Sequence, residues 1–90
     1  MIRLKKAATG VTVTFVLDDT VPGPISVVGD FNDWTPGKHV VRKRSNGTRS
    51  VSVTLPAGES VRFRYLAEGG RWFDDPQADA QDENGSLLVL

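Results

Sequence analysis

Trp34 and Trp72 are the residues whose type and surroundings most invite a chemical reading. Trp34 closes the polar run Gly29-Asp30-Phe31-Asn32-Asp33, which reads as a loop. Trp72 follows a glycine pair and precedes a second polar stretch. A tryptophan in a polar loop has few core neighbours, so its flat apolar face is left for a partner of matching shape. The C–H surface of a pyranose ring is such a partner, and stacking on it asks for no charge. The same two residues would also serve to cap the ends of a β-sandwich, and residue type alone leaves both readings open.

The residues that usually catalyse are poorly placed. His39 is the only histidine, and it has neither a cysteine nor an evident carboxylate partner in its hairpin. Asp74 and Asp75 are neighbours, which puts them on opposite faces of a strand unless a turn intervenes. Glycoside hydrolysis needs two carboxyls flanking one bond across roughly 5–9.5 Å, and Asp75-Pro76 reads more simply as a turn. Asp30, Asn32 and Asp33 lack the ligand spacing, central glycine and closing glutamate of a calcium loop. No catalytic residue, no metal and no cofactor is expected.

The elements that must position the tryptophans are strands. Val11, Val13 and Phe15 alternate with Thr12, Thr14 and Val16. Val51, Val53 and Leu55 alternate with Ser52 and Thr54, and Val61, Phe63 and Tyr65 with Arg62, Arg64 and Leu66. Such alternation marks half-buried strands, and Phe15, Phe31, Phe63 and Tyr65 fit inward positions. Further strands are expected at Ile25–Val28, His39–Arg44 and Leu87–Leu90. Turns are expected at Pro22-Gly23-Pro24, Ser45-Asn46-Gly47-Thr48, Leu55-Pro56-Ala57-Gly58 and Gly69-Gly70, with a polar loop from Asp75-Pro76 to Gly85. Six to eight short strands at this spacing predict an all-β sandwich or barrel.

Ninety residues make one domain over 1–90, with 1–10 expected as a loosely attached N-terminal segment. A chain of this size buries only roughly 60–65% of the surface it exposes when unfolded, which leaves no room for a deep catalytic cleft. Eleven basic and eleven acidic residues cancel, so overall charge names no partner. Between Lys38 and Arg64 there are seven basic residues and one acid, which reads as solvated strand faces or as an anion-binding stripe. The absence of cysteine suits a reducing compartment. With no signal-peptide run and no apolar stretch of membrane length, a cytoplasmic location is expected, with no membrane and no nucleic-acid partner.

The run Ile25-Ser-Val-Val-Gly-Asp-Phe-Asn-Asp-Trp34 resembles a signature of the family-48 carbohydrate-binding modules. These include the N-terminal domains of isoamylases and glycogen branching enzymes and the glycogen-binding domain of the AMP-activated protein kinase β subunit. The likeness continues through Leu55-Pro-Ala-Gly58, Phe63-Arg64-Tyr65, Trp72, Asp75-Pro76 and Asn84, covering roughly residues 11–90 in order.

That resemblance implies an immunoglobulin-like antiparallel β-sandwich that binds α-glucan (glycogen, starch-like polymer or maltooligosaccharide) without catalysis. It assigns stacking to Trp34 and Trp72, and hydroxyl-bonding roles to Arg64 and Asn84, with Ser86 as an alternative to Asn84. Three departures stand out. Arg64 occupies the place of a lysine, the turn before Trp72 is one residue longer, and the loop Gln77–Glu83 has no leucine. The other function the resemblance allows is a protein-interaction domain that keeps the fold and docks on a separately encoded glycogen-metabolism enzyme or another partner.

Overall fold

The computed structural model describes residues 2–20 and 23–90. Nine strands occur among them: β1 (Ile2–Ala7), β2 (Gly10–Asp18), β3 (Ile25–Gly29), β4 (Arg42–Lys43), β5 (Thr48–Leu55), β6 (Ser60–Ala67), β7 (Arg71–Phe73), β8 (Ala80–Asp82) and β9 (Gly85–Val89). A single 3₁₀ turn, Asp30–Asn32, follows β3. Val21 and Pro22, in the turn expected after β2, lie outside the described residues.

The strands form two antiparallel sheets, β1-β2-β5-β4 and β3-β6-β9-β8, with β7 added beside β6. With β4 beside β5 and β3 beside β6, this is the strand order of a constant-type immunoglobulin sandwich. The expected fold class is therefore the observed one. Because strand side chains alternate, Val13 and Phe15 of β2 meet Phe63 and Tyr65 of β6 between the sheets, all fully buried. Phe15 packs with its ring centroid 4.9 Å from that of Phe63, and Tyr65 lies 5.1 Å from Phe73.

The interior is not wholly apolar. Asp75 is 1% exposed, and the Tyr65 hydroxyl donates to its Oδ2 at 2.6 Å. Burial first, and then this hydrogen bond, push the Tyr65 phenol well above its ordinary pKa. Arg49, also buried, donates to Asp19 at 2.7 Å.

Several boundaries differ from those read in the sequence. The segment expected to be loosely attached forms β1, paired with β2 from Ile2↔Phe15 to Ala7↔Gly10. Its dense Arg and Lys content is the usual protection of an edge strand rather than a sign of a free tail. The strand expected at His39–Arg44 splits into a bridge, Ser26↔Val40, and the two-residue β4. The polar loop after Pro76 contains β8, which pairs with β9 from Ala80↔Leu87 to Asp82↔Gly85.

Candidate functional site

Each residue of the Gly29–Trp34 segment has a distinct structural task. A side chain on Gly29 would collide with the Arg62 carbonyl oxygen, so glycine is required by close approach. Phe31 turns inward, its ring 6.0 Å from Phe15. Asn32 is 3% exposed and fully engaged. Its Oδ1 accepts from the Gly29 amide at 3.0 Å, while Nδ2 donates to the Val27 carbonyl and to His39 Nδ1, each at 2.9 Å. His39 is thus occupied in holding this loop.

Asp33 and Trp34 then take left-handed backbone angles, with φ of 54° and 56°. Non-glycine residues in that region cost about 1–3 kcal/mol each, and they persist only where the surroundings over-determine them. Here the Trp34 amide donates to the Gly29 carbonyl at 2.9 Å and the Thr35 amide to the Asn32 carbonyl at 3.1 Å. The result is a tryptophan held 37% exposed.

Trp72 is presented differently. It sits on β7 directly opposite Leu66 of β6, which the alternation of β6 turns away from the core. It is 50% exposed. Arg64 lies two residues before Leu66 and therefore faces the same way. Arg64 is also directly opposite Val28 of β3, one residue before the Gly29 that binds the Trp34 amide.

Protein groups engage part of the Arg64 guanidinium, while its buried Nε makes no hydrogen bond among the described residues. Nη2 donates to the Glu83 carbonyl at 2.6 Å, and Nε lies 3.6 Å from Asp74 Oδ1. Gly85 makes room for this, since a side chain there would press on Arg64 Cγ at 3.3 Å and on the Phe63 carbonyl oxygen at 2.9 Å. Asn84 is exposed at the turn between β8 and β9, immediately after Glu83. Its amide donates to Asp82 Oδ1 at 2.8 Å, and Asp82 also receives Arg62 at 2.7 Å. The Asn84 amide first, and then the Arg62 side chain, hold the Asp82 carboxyl below its ordinary pKa. Ser86 is fully buried between Asp74 and the Asp75 amide, out of reach of an external ligand.

The basic run between Lys38 and Arg64 does not form one stripe. Arg42 and Lys43 belong to the first sheet, whereas Arg62 and Arg64 belong to the second. Arg49, Arg62 and Arg64 face Asp19, Asp82 and Asp74 respectively. The surface around Arg64 thus holds its charges in pairs. Asp74 and Asp75 both line an open pocket with Tyr65, Phe73 and Gln77, but the Asp75 side chain is enclosed and Asp74 is turned to Arg64 and Ser86.

Two residues of this region make contacts that the sequence pattern does not record. Leu66 is an outward leucine beside Trp72, and its alternation with Tyr65 was the only available signal. Asp30 touches both Trp34 and β6, a contact across 32 positions that no local pattern reveals.

Comparison with known proteins supports a relation to α-glucan enzymes. The chain is 35% identical over 72 residues to the 1,4-alpha-glucan branching enzyme of Rhodopseudomonas palustris (strain BisB5), covering 72% of this chain. It is 39% identical over 57 residues to that of Salinibacter ruber, covering 60% of this chain. It is 31% identical over 55 residues to the chloroplastic/amyloplastic enzyme of Oryza sativa subsp. japonica, covering 53% of this chain. This chain is similar to a segment of glucan branching enzymes. It spans only 10%, 9% and 7% of the length of those three relatives. No family model matches.

Proposed function

We propose that this chain is a non-catalytic α-glucan-binding module of the family-48 type. In this reading Trp34 and Trp72 stack on successive glucose rings. Asn84 bonds sugar hydroxyls, and Arg64 does so with whatever donors its protein partners leave. The observation that carries the proposal is Trp34, a bulky exposed residue whose strained left-handed backbone is held by its amide bond to Gly29 and whose indole is held by Asp30. Such strain is retained where a side chain must be presented in one direction. The paired charges around Arg64 suit a neutral polymer, and the similarity to enzymes named for 1,4-alpha-glucan branching supplies its chemistry.

Titration with maltoheptaose or β-cyclodextrin, read by tryptophan fluorescence, tests the reading. An open site of this kind is expected to bind with Kd between roughly 10 μM and 1 mM. Affinity should change little between low and moderate salt, because no phosphate-like contacts release counterions. No binding at millimolar sugar, or a tenfold loss on adding salt, would overturn it.

The second reading is docking on a separately encoded glycogen-metabolism enzyme. It is favoured by the apolar Leu4 on β1 and Val89 on β9, which are 50% and 54% exposed. A module that fails the sugar titration but co-purifies with such an enzyme through those residues would fit this reading instead.

A further inference from the structure

The loop that carries Trp34 leaves β3 where the β3–β6 ladder ends, at Gly29↔Phe63. One residue further on, the backbone turns into the 3₁₀ segment and can no longer accept from β6. The Asp30 side chain takes over that task, because Oδ2 accepts the Arg62 main-chain amide at 2.9 Å. Its other oxygen, Oδ1, accepts the Trp34 indole Nε1–H at 3.2 Å. A single carboxylate therefore ties the indole of an exposed loop residue to the backbone of β6, a strand paired on both edges.

We infer that Asp30 is a positioning residue for Trp34, setting the angle at which the indole meets a sugar ring. The inference rests on the glucan-binding reading for its consequence, but not for its geometry. The backbone angles of Trp34 fix where its Cα lies, yet the indole can still rotate about its side-chain bonds. The bond to Asp30 is the one contact between the indole N–H and a group fixed to the sheet among the hydrogen bonds described. An aspartate is suited to this place by length and by having two acceptors. Asparagine would offer one acceptor and one donor to two N–H groups, and alanine would offer neither.

The test is a double-mutant cycle on the full chain, with maltoheptaose as the probe. Asp30→Ala is expected to weaken binding about five- to tenfold, the effect of losing one or two hydrogen bonds in a positioned site. Trp34→Phe keeps a stacking ring but has no N–H. In that background Asp30→Ala should change affinity less than twofold, since the indole bond is already absent and only the bond to the Arg62 amide remains to be lost. Equal losses in both backgrounds would overturn the inference, because Asp30 would then act only through the Arg62 amide.

The indole N–H resonance of Trp34 gives a readout independent of sugar. In Asp30→Ala it should shift and exchange faster with solvent, while the Trp72 indole stays unchanged. An unmoved Trp34 signal would overturn the tether. Unchanged affinity in Trp34→Ala would instead overturn the glucan site and leave the tether standing.

Discussion

Arg64 and Glu83 are joined by a hydrogen bond of 2.6 Å from a guanidinium nitrogen to a main-chain oxygen, so the β8–β9 turn is fastened to the middle of β6. Asn84 is the next residue. The role assigned to Arg64 by family resemblance is a direct contact with sugar, but its geometry gives it a prior obligation to the protein.

Arg64→Ala is therefore expected to do two things at once. Glucan affinity should fall about three- to tenfold, and the amides of Asn84 and Gly85 should exchange faster with solvent. Arg64→Lys should not restore the turn, because a single ammonium does not reproduce the planar fork that spans Glu83 and Asp74. Titration calorimetry and hydrogen exchange on the same samples separate the two effects. An affinity loss with unchanged exchange would mean that Arg64 acts on sugar alone.

Trp34 offers a contrast between function and stability. Trp34→Ala leaves a side chain in the left-handed region, whereas Trp34→Gly removes the steric conflict. The glycine variant should be more stable than the alanine variant by about 1 kcal/mol, which corresponds to a Tm higher by about 4–8 °C in a domain of this size. Both should bind glucan more than tenfold more weakly than the parent chain, as removal of a central aromatic contact typically costs about 2 kcal/mol. Thermal scans of the three proteins check the order.

Tyr65→Phe removes the hydroxyl that donates to the buried Asp75 carboxylate. A hydrogen bond to a charged group contributes about 1.5–3 kcal/mol. Urea unfolding should show an unfolding free energy reduced by that amount and a correspondingly lower midpoint, with glucan affinity per folded molecule unchanged.

Asp82 gives the sign of a pH effect. Its carboxyl is held below the ordinary value of 3.8 in the folded chain, so the unfolded chain takes up its proton first as pH falls. The stabilisation it contributes is fully present above that ordinary value and is lost as pH drops through the lower, folded one. Asp19, held down chiefly by its hydrogen bond from Arg49, acts in the same direction. Asp82→Asn should therefore unfold earlier than the parent near neutrality, and the two curves should converge in strong acid. Melting curves across that range check the convergence.

The parts of the molecule legible in its sequence are those governed by side-chain alternation. Phe15, Phe63 and Tyr65 face inward because they occupy every second place in strands that are buried on one side only. β1 was hidden because Lys5 and Lys6 mask its alternation, and β8 because three residues carry too little pattern to distinguish a strand from a polar loop. At the candidate site, the exposure of Trp34 and Trp72 followed from their polar neighbours. The Trp34 backbone angles, the Asn32 web and the commitment of Arg64 to Glu83 depend on distant partners, and no local spacing records them.

Every candidate site residue comes from the second sheet or its connections, while the β4–β5 hairpin belongs to the first. The tip of that hairpin, Ser45 to Gly47, is exposed, and nothing lies within 4 Å of where a Gly47 side chain would stand. Exposed tips of small and polar residues are where inserted sequence is best tolerated. A peptide tag or reactive handle grafted there would fix the domain to a solid support through its first sheet. The graft would leave the segments that carry Trp34 and Trp72 unaltered, as an affinity matrix for starch-like chains would require.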